Sequence, residues 1–66
     1  MQLIVNGDVR EVEETSTLGA FLTSRNLNAK MVVVELNGEI VPRGEYDETP
    51  LTHGDVLEIV QMMAGG

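Results

Sequence analysis

The sequence of 66 residues contains no cysteine. Disulfides, cysteine-ligated zinc sites, iron–sulfur clusters and thiol catalysis are therefore excluded. Aromatic residues make up 3% of the chain, too few for a platform on which nucleic-acid bases could stack. His53 is the only histidine, so no second histidine or cysteine can complete a metal site or a nucleophile–base pair with it. These absences argue against an enzyme that acts alone.

Basic residues are also scarce. The chain has 4 Lys and Arg against 11 Asp and Glu, a formal net charge of −7. Binding to nucleic-acid phosphates or to anionic membrane surfaces requires the opposite sign, so we expect neither as a partner. Docking on a basic protein surface is compatible with this charge, and so is a role in solubility alone.

Long apolar runs are absent as well. No stretch approaches the roughly 20 apolar residues that cross a bilayer, and the start lacks the basic and then apolar segments of a secretory signal. We therefore expect a cytoplasmic protein. The hydrophobic fraction of 42% is too high for a disordered chain, and the length suits one small domain.

Two Asn-Gly dipeptides predict β-hairpins, because both residues tolerate the positive φ angles of a tight turn. Asn6-Gly7 joins strand 2–5 to a half-buried strand 9–12. Asn37-Gly38 joins the valine-rich strand 31–36 to a short strand 39–41. The polar segment 43–50 follows as a loop that can contain one helical turn, and a final apolar strand covers residues 56–63.

A single helix lies between the hairpins. Leu18, Phe21 and Leu22 recur at the spacing of one helix face, with Ser16 or Thr17 as N-cap and Asn26 as the C-terminal stop. The helix is about ten residues long. Gly19 weakens it by about 1 kcal/mol relative to alanine.

This order of elements predicts an α+β fold. If the last strand lies between the first and third strands, parallel to the first, the chain forms a mixed five-stranded sheet with one main helix on one face. That arrangement is the β-grasp, or ubiquitin-like, fold. We expect it to cover residues 1–63, with residues 64–66 as a flexible C-terminal tail.

Strand alternation divides the apolar side chains between the two faces of this sheet. The helix-facing set is Leu3, Val5, Val32, Val34, Leu36, Leu57 and Ile59, with Glu35 and Glu58 on the opposite face. The face without a helix, called the open face below, receives Ile4, Met31, Val33, Val60 and Met62. These residues are either a docking surface or pack against loops and each other.

The sequence ends in Ala64-Gly65-Gly66 directly after the last strand. A tail without side chains can enter a narrow active-site channel of another protein. A carboxylate is a poor electrophile, but adenylation gives it AMP as leaving group, and a persulfide sulfur can then attack the acyl carbon. A protein that carries sulfur on its terminal carboxylate in this way needs no cysteine of its own.

The chain resembles the small sulfur carriers of thiamine biosynthesis, which belong to the ubiquitin-like β-grasp family. The resemblance covers essentially the whole length and rests on three segments. They are Asn37-Gly38-Glu39-Ile40-Val41-Pro42-Arg43, Leu51-Thr52-His53-Gly54-Asp55 leading into strand 56–60, and Ala64-Gly65-Gly66.

The resemblance implies that Gly66 is the modified residue, with Gly65 and Ala64 as the tail that threads into a partner. It implies three partners: a ubiquitin-activating-type adenylyltransferase, a cysteine desulfurase or sulfurtransferase, and thiazole synthase. No cofactor is expected on the chain itself, since the activating partner consumes the ATP. Glu58, Val60, Met62, Ile4 and Val33 are the candidate partner-binding residues.

Several alternatives remain at this point. A related carrier of molybdenum-cofactor synthesis, or a carrier for another pathway, would share the fold and the Gly-Gly end. A non-covalent β-grasp binding module would instead use the open face. Arg43 forms either a salt bridge to a partner or an anchor for its own loop, and the second interpretation is preferred.

Overall fold

The computed structural model describes residues 1–13 and 17–62. Its strands and helix are β1 (Gln2–Val5), β2 (Asp8–Glu11), α1 (Leu18–Ser24), β3 (Val32–Leu36), β4 (Glu39–Ile40) and β5 (Val56–Gln61), with 3₁₀ helices at Ala29–Met31 and Arg43–Glu48. Within these ranges, no helix is long and apolar enough to cross a membrane.

The five strands form one sheet in the order β2-β1-β5-β3-β4. β5 is the central strand and runs parallel to β1 and antiparallel to β3. Both hairpins are antiparallel. The mixed sheet with one main helix that the sequence predicts is therefore confirmed.

The two hairpin turns adopt the backbone that their Asn-Gly sequences favour. Asn6 and Gly7 have φ of 50° and 87°, and Asn37 and Gly38 have φ of 52° and 89°. All four lie in the left-handed region that asparagine and glycine tolerate best. The turns fix the register, which places Ile4 opposite Val9 and Glu35 opposite Ile40.

The helix has seven residues rather than ten. Thr17, one of the two predicted N-caps, caps it by accepting a hydrogen bond from the Ala20 N–H at 3.1 Å. Asn26, with φ of 59°, follows its end. Because the helix is only about 10 Å long, it cannot cover the whole sheet, and β2 is exposed along its length. The expectation of a half-buried second strand was wrong for this reason.

The core lies between α1 and one face of the sheet. It comprises Leu3, Leu18, Phe21, Leu22, Val32, Val34, Tyr46, Leu51 and Leu57. The predicted helix-facing set is confirmed, since Leu3, Val32, Val34 and Leu57 are fully buried and Val5, Leu36 and Ile59 pack against them.

Two core residues that were not predicted lie within and directly after the segment 43–50, which was predicted as a loop. Tyr46 and Leu51 are buried, and the Tyr46 hydroxyl donates a hydrogen bond to the Val32 carbonyl at 3.3 Å. Arg43 anchors the same segment, because its Nε donates to the Ala29 carbonyl at 3.0 Å. The preferred interpretation of Arg43 as a loop anchor is thus confirmed.

Candidate partner-binding surface

The predicted reactive tail, Ala64, Gly65 and Gly66, lies outside the described residues, as does Met63. The described chain reaches that tail through β5 and Met62. The part of the site that the structure describes is therefore β5, the strands beside it and the faces they form.

On the β1 side, β5 is held first by backbone and then by a side chain. The Ile4 and Asn6 N–H groups donate to the Asp55 and Leu57 carbonyls, both at 2.9 Å. One step further, the Asn6 carboxamide accepts from the Ile59 N–H at 2.7 Å and donates to the Ile59 carbonyl at 3.1 Å. The Asn6 side chain thus takes the place of the next peptide group of β1 and extends the ladder past the end of that strand.

On the β3 side, β5 is held along its whole length. At the start, the Asn37 carboxamide accepts from the Val56 N–H at 2.9 Å and donates to Asp55 Oδ1 at 3.0 Å. At the far end, the Met62 N–H donates to the Met31 carbonyl at 2.7 Å. The two asparagines of the hairpin turns therefore fix the central strand from opposite sides, a role that their Asn-Gly signature does not reveal.

Asp55 organises the turn that precedes β5. Its carboxylate accepts hydrogen bonds from the Thr52 N–H at 2.8 Å, the Thr52 hydroxyl at 3.1 Å and the Asn37 amide. Partial burial, the largest single influence, raises the pKa of this carboxyl group. The three hydrogen bonds together outweigh it and hold the pKa of Asp55 below its ordinary value of 3.8.

The open face carries the exposed apolar side chains of the described residues. The large hydrophobic residues that are substantially exposed are Val9, Val33, Ile40, Val56, Val60 and Met62. Strand alternation and the register place all six on the side of the sheet opposite α1. Exposed apolar residues gathered on one face make it the candidate surface for binding another protein.

Four of the five predicted partner-binding residues lie close together on this face, and the fifth, Ile4, lies apart from them. Val60 lies directly opposite Val33, and Met62 follows Val60 by two residues, so these three share the end of the sheet from which residues 63–66 continue. Glu58 lies opposite Glu35 in the next row. Ile4 lies further away, between Val9 and Val56.

The predicted set of open-face residues did not include Val9, Ile40 and Val56. A signal for each was available. Val56 precedes Glu58 and Val60 at spacings of two and four, which alternation places on one face. In each hairpin, the two-residue Asn-Gly turn fixes which residues pair. Val9 pairs with Ile4 and Ile40 pairs with Glu35, and paired residues lie on the same face.

The electrostatic character of the open face is acidic. Among its described strand positions are Glu11, Glu35 and Glu58, and no lysine or arginine. Glu35 and Glu58 are direct cross-strand neighbours, an arrangement in which like charges repel. A basic group on a partner would relieve that repulsion, so the surface fits a partner that combines apolar and basic side chains.

His53 lies in the turn before β5, where its Nδ1 accepts a hydrogen bond from the Gln2 N–H at 3.0 Å. This contact gives His53 a structural role at the start of β1. In the described part of the chain, no group of three or more histidine, aspartate or glutamate residues could hold a metal ion.

Comparison with known proteins extends this description. The sequence model of the ThiS family matches residues 3–66. The sulfur carrier protein ThiS of Bacillus subtilis is 42% identical over 65 residues, which is 97% of this chain and 98% of that protein. The crystal structure of a thiamine biosynthesis protein (ThiS) from Geobacter metallireducens superposes with a TM-score of 0.85 at 36% identity, covering 100% of both chains.

A thiazole synthase of Paramagnetospirillum magneticum is 38% identical over all 66 residues. This chain spans only 20% of the length of that protein, so the similarity concerns one segment of a longer chain. The family match over nearly the whole sequence, the full-length relative and the shared fold agree with one another. The chain belongs to the ThiS family, the sulfur carriers of thiamine biosynthesis.

Proposed function

We propose that this chain carries sulfur for thiamine biosynthesis as a thiocarboxylate on Gly66. The observation that carries the proposal is the family match to residues 3–66, because the matched region includes Ala64-Gly65-Gly66. The absence of cysteine supports it further, since a carrier without a thiol needs another group to hold sulfur. The terminal carboxylate is such a group.

The proposed chemistry begins with the Gly66 carboxylate attacking the α-phosphorus of ATP. Pyrophosphate leaves, and the acyl carbon now bears AMP, a far better leaving group. The terminal sulfur of a partner's persulfide attacks that carbon, AMP departs and an acyl disulfide forms. A second thiol then attacks the sulfur on the partner's side, which releases the Gly66 thiocarboxylate and leaves a new disulfide.

The chain cannot perform the first step alone, so the proposal requires an adenylyltransferase of the ubiquitin-activating type, which consumes the ATP. A cysteine desulfurase or sulfurtransferase would supply the persulfide. In this proposal the chain is a protein substrate of its partners and has no catalytic residue of its own.

The surface proposed to dock on the adenylyltransferase is the C-terminal patch, defined as Val33, Glu58, Val60 and Met62. It lies at the end of the sheet from which residues 63–66 continue, so a partner bound there is within reach of the tail. Its apolar members have exposures of 37%, 62% and 39% for Val33, Val60 and Met62. Ile4 would lie at the margin of the contact.

Thiazole synthase is the proposed acceptor of the sulfur. Two thiazole synthases, from Paramagnetospirillum magneticum and Magnetococcus marinus, contain segments 38% and 32% identical to this entire chain. A carrier segment on the same polypeptide as its acceptor has a high effective concentration there. The similarity therefore favours thiazole formation over the molybdenum-cofactor alternative.

The direct test is intact mass spectrometry after incubation with the adenylyltransferase, ATP, a cysteine desulfurase and cysteine. The expected result is a mass gain equal to the exchange of one oxygen for one sulfur. The gain should map to the C-terminal peptide and require ATP. A chain extended by one residue after Gly66 is the control and should gain nothing. Modification of the extended chain, or none of the normal chain, would refute the proposal.

The docking surface has its own matched test. Val60 and Val9 are both 62% exposed and both lie on the open face, but Val60 is in the central strand and Val9 is in the edge strand β2. We expect Val60→Asp to slow adenylation at least tenfold, by placing a charge in an apolar contact. Val9→Asp should leave the rate within a factor of about two. Equal effects of the two variants would show that the C-terminal patch is not the docking site.

A further inference from the structure

A groove lies on the helix side of the sheet, at the end where β5 leaves it. The seven-residue helix is about 10 Å long, whereas the six residues of β5 extend about 20 Å. The helix therefore leaves part of the sheet uncovered beyond its C-terminal end. The groove there has a volume of about 250 Å³.

The lining of this groove combines apolar and basic groups. Val5, Phe21 and Ile59 contribute apolar surface, and Arg10 and Arg25 contribute the charge. These are two of the four basic residues in a chain of net charge −7. Half of the positive charge of an acidic protein thus lines one groove, which favours an acidic occupant by charge complementarity.

Both guanidinium groups retain capacity for a ligand. Arg25 lies over the Phe21 ring, with its Cζ at 5.3 Å from the ring centroid. This stacking leaves the guanidinium edge able to donate, and no acceptor for it lies among residues 1–13 and 17–62. Arg10 pairs with Asp8 at 3.8 Å, and the two side chains are 50% and 72% exposed. A pair that long and that exposed contributes little to stability, so a better-placed carboxylate can displace it.

The groove also borders an open strand edge. The bonds from Asn37 to Val56 and from Met62 to Met31 fix the alternation of β5, so the N–H and C=O of Gln61 point away from β3. On the β1 side, backbone pairing ends at Val5 and Leu57, and the Asn6 carboxamide serves Ile59. Among residues 1–13 and 17–62, none pairs with these two groups of Gln61. Such an edge can accept an added strand.

We propose that this groove binds an extended acidic peptide segment of a partner protein. The segment's backbone pairs with Gln61, and its carboxylates bind Arg10 and Arg25. A peptide fits better than a small organic ligand, because the groove is smaller than the roughly 300–1,000 Å³ of pockets that enclose such ligands. A peptide also supplies both the donor and the acceptor that the Gln61 edge requires. The site is on the opposite side of the sheet from the C-terminal patch and does not depend on sulfur transfer.

The test uses the full ¹⁵N-labelled chain and the probe peptide acetyl-Glu-Val-Glu-Val-Glu-amide, followed by NMR. The peptide should shift the amide signals of Ile59 and Gln61 and leave those of Val9 and Val33 unchanged. Replacing both arginines, Arg10→Gln with Arg25→Gln, should weaken binding at least about tenfold, since charge-assisted hydrogen bonds are lost. Lys30→Gln removes a basic residue outside the groove and should change the Kd by less than about twofold.

Control peptides separate the two elements of recognition. A peptide with lysine for each glutamate should not bind, and one with N-methylated backbone amides should bind more weakly than the probe. No shifts at millimolar peptide, shifts confined to the open face, or equal weakening by Lys30→Gln would overturn the proposal. So would inorganic phosphate that shifts the same amides with equal affinity. The experiment contains no activating enzyme, so its failure would leave the proposed sulfur transfer untouched.

Discussion

The two faces of the sheet carry similar apolar side chains, but those on one face are buried and those on the other are exposed to solvent. On the helix face, Leu3, Val34 and Leu57 have no exposed surface. On the open face, Val60 is 62% exposed and Met62 39% exposed, although both belong to or adjoin the same central strand. Hydrophobic composition does not distinguish the two faces. The faces differ because α1 and the 3₁₀ helix Arg43–Glu48 pack on only one side of the sheet.

The difference separates a buried core from an exposed apolar surface within one small domain. One face supplies the buried area that folds the domain. The other leaves apolar side chains exposed, at the end of the sheet from which residues 63–66 continue. β5 contributes to both faces, so its register determines which residues fold the protein and which are available to bind. Slipping β5 by one residue would exchange the two sets.

The largest expected effect comes from shortening a buried side chain of β5, and shortening an exposed side chain of the same strand provides the comparison. Leu57→Ala should lower the free energy of unfolding by about 2–5 kcal/mol, because it leaves a cavity in the core. Val60→Ala should lower it by less than about 0.5 kcal/mol, since its side chain faces solvent. Urea unfolding followed by circular dichroism measures both. Comparable losses would show that the open face also contributes to the core.

A smaller effect is expected where the 3₁₀ helix Arg43–Glu48 packs on α1. A Cβ atom on Gly19 would overlap the Asp47 carboxylate and approach the Asp47 Cα to 3.3 Å. Overpacking costs about 1–3 kcal/mol, and the gain in helix propensity returns about 1 kcal/mol. Gly19→Ala should therefore lower the free energy of unfolding by up to about 2 kcal/mol. Adding Asp47→Ala should restore part of the loss, and a stabilising Gly19→Ala would contradict this contact.

The role of Asn6 in holding β5 can be tested by Asn6→Gly, which keeps the positive φ and removes the carboxamide. The variant should lose about 1 kcal/mol for each of the two hydrogen bonds to Ile59. Hydrogen exchange should accelerate at the Ile59 amide more than at Val60, whose backbone is held by β3. The matched variant Asn37→Gly should instead release the Val56 amide. Uniform acceleration along β5 would show that Asn6 acts on global stability alone.

The smallest expected effect is the pH dependence at the turn that starts β5. The pKa of Asp55 is lowered in the folded protein, so its carboxylate stabilises the fold fully above the unfolded value of 3.8. That contribution is lost as the pH falls through the lower folded value. Between neutral pH and pH of about 3, the normal chain should lose more stability than Asp55→Asn. Identical pH profiles would show that the three hydrogen bonds contribute nothing net.

Local chemistry explains why much of the fold was predictable. The Asn-Gly turns, the Thr17 cap and the stop at Asn26 depend on neighbouring residues only, and all three are confirmed. Alternation along each strand correctly separated Leu57 from Val60, because the side-chain period of a strand does not depend on its partners. The candidate docking residues were identified by the same period, although their role in binding remains a prediction.

Other features depended on contacts between segments far apart in the chain. Nothing local to Tyr46 and Leu51 indicates that they enter the core, since their burial requires the 3₁₀ helix to pack beside α1. The spacing of apolar residues identified Gly19 only as a weak helix residue, and the close approach of Asp47 to it depends on the packing of a distant segment. The exposure of β2 follows from the length of the helix and the width of the sheet together.

The sequence by itself determined the elements, the turns and the division of each strand into two faces, because these follow from the backbone preferences and spacing of neighbouring residues. It also determined the excess of acidic over basic residues and the presence of Ala64-Gly65-Gly66 after the last strand. Only the tertiary structure decided that the 3₁₀ helix Arg43–Glu48 packs beside α1, that Asn6 and Asn37 fix β5 from both sides, and that Arg10 and Arg25 share one groove. Each of these is a meeting of residues distant in sequence, and only the packing of the whole chain brings such residues within contact distance.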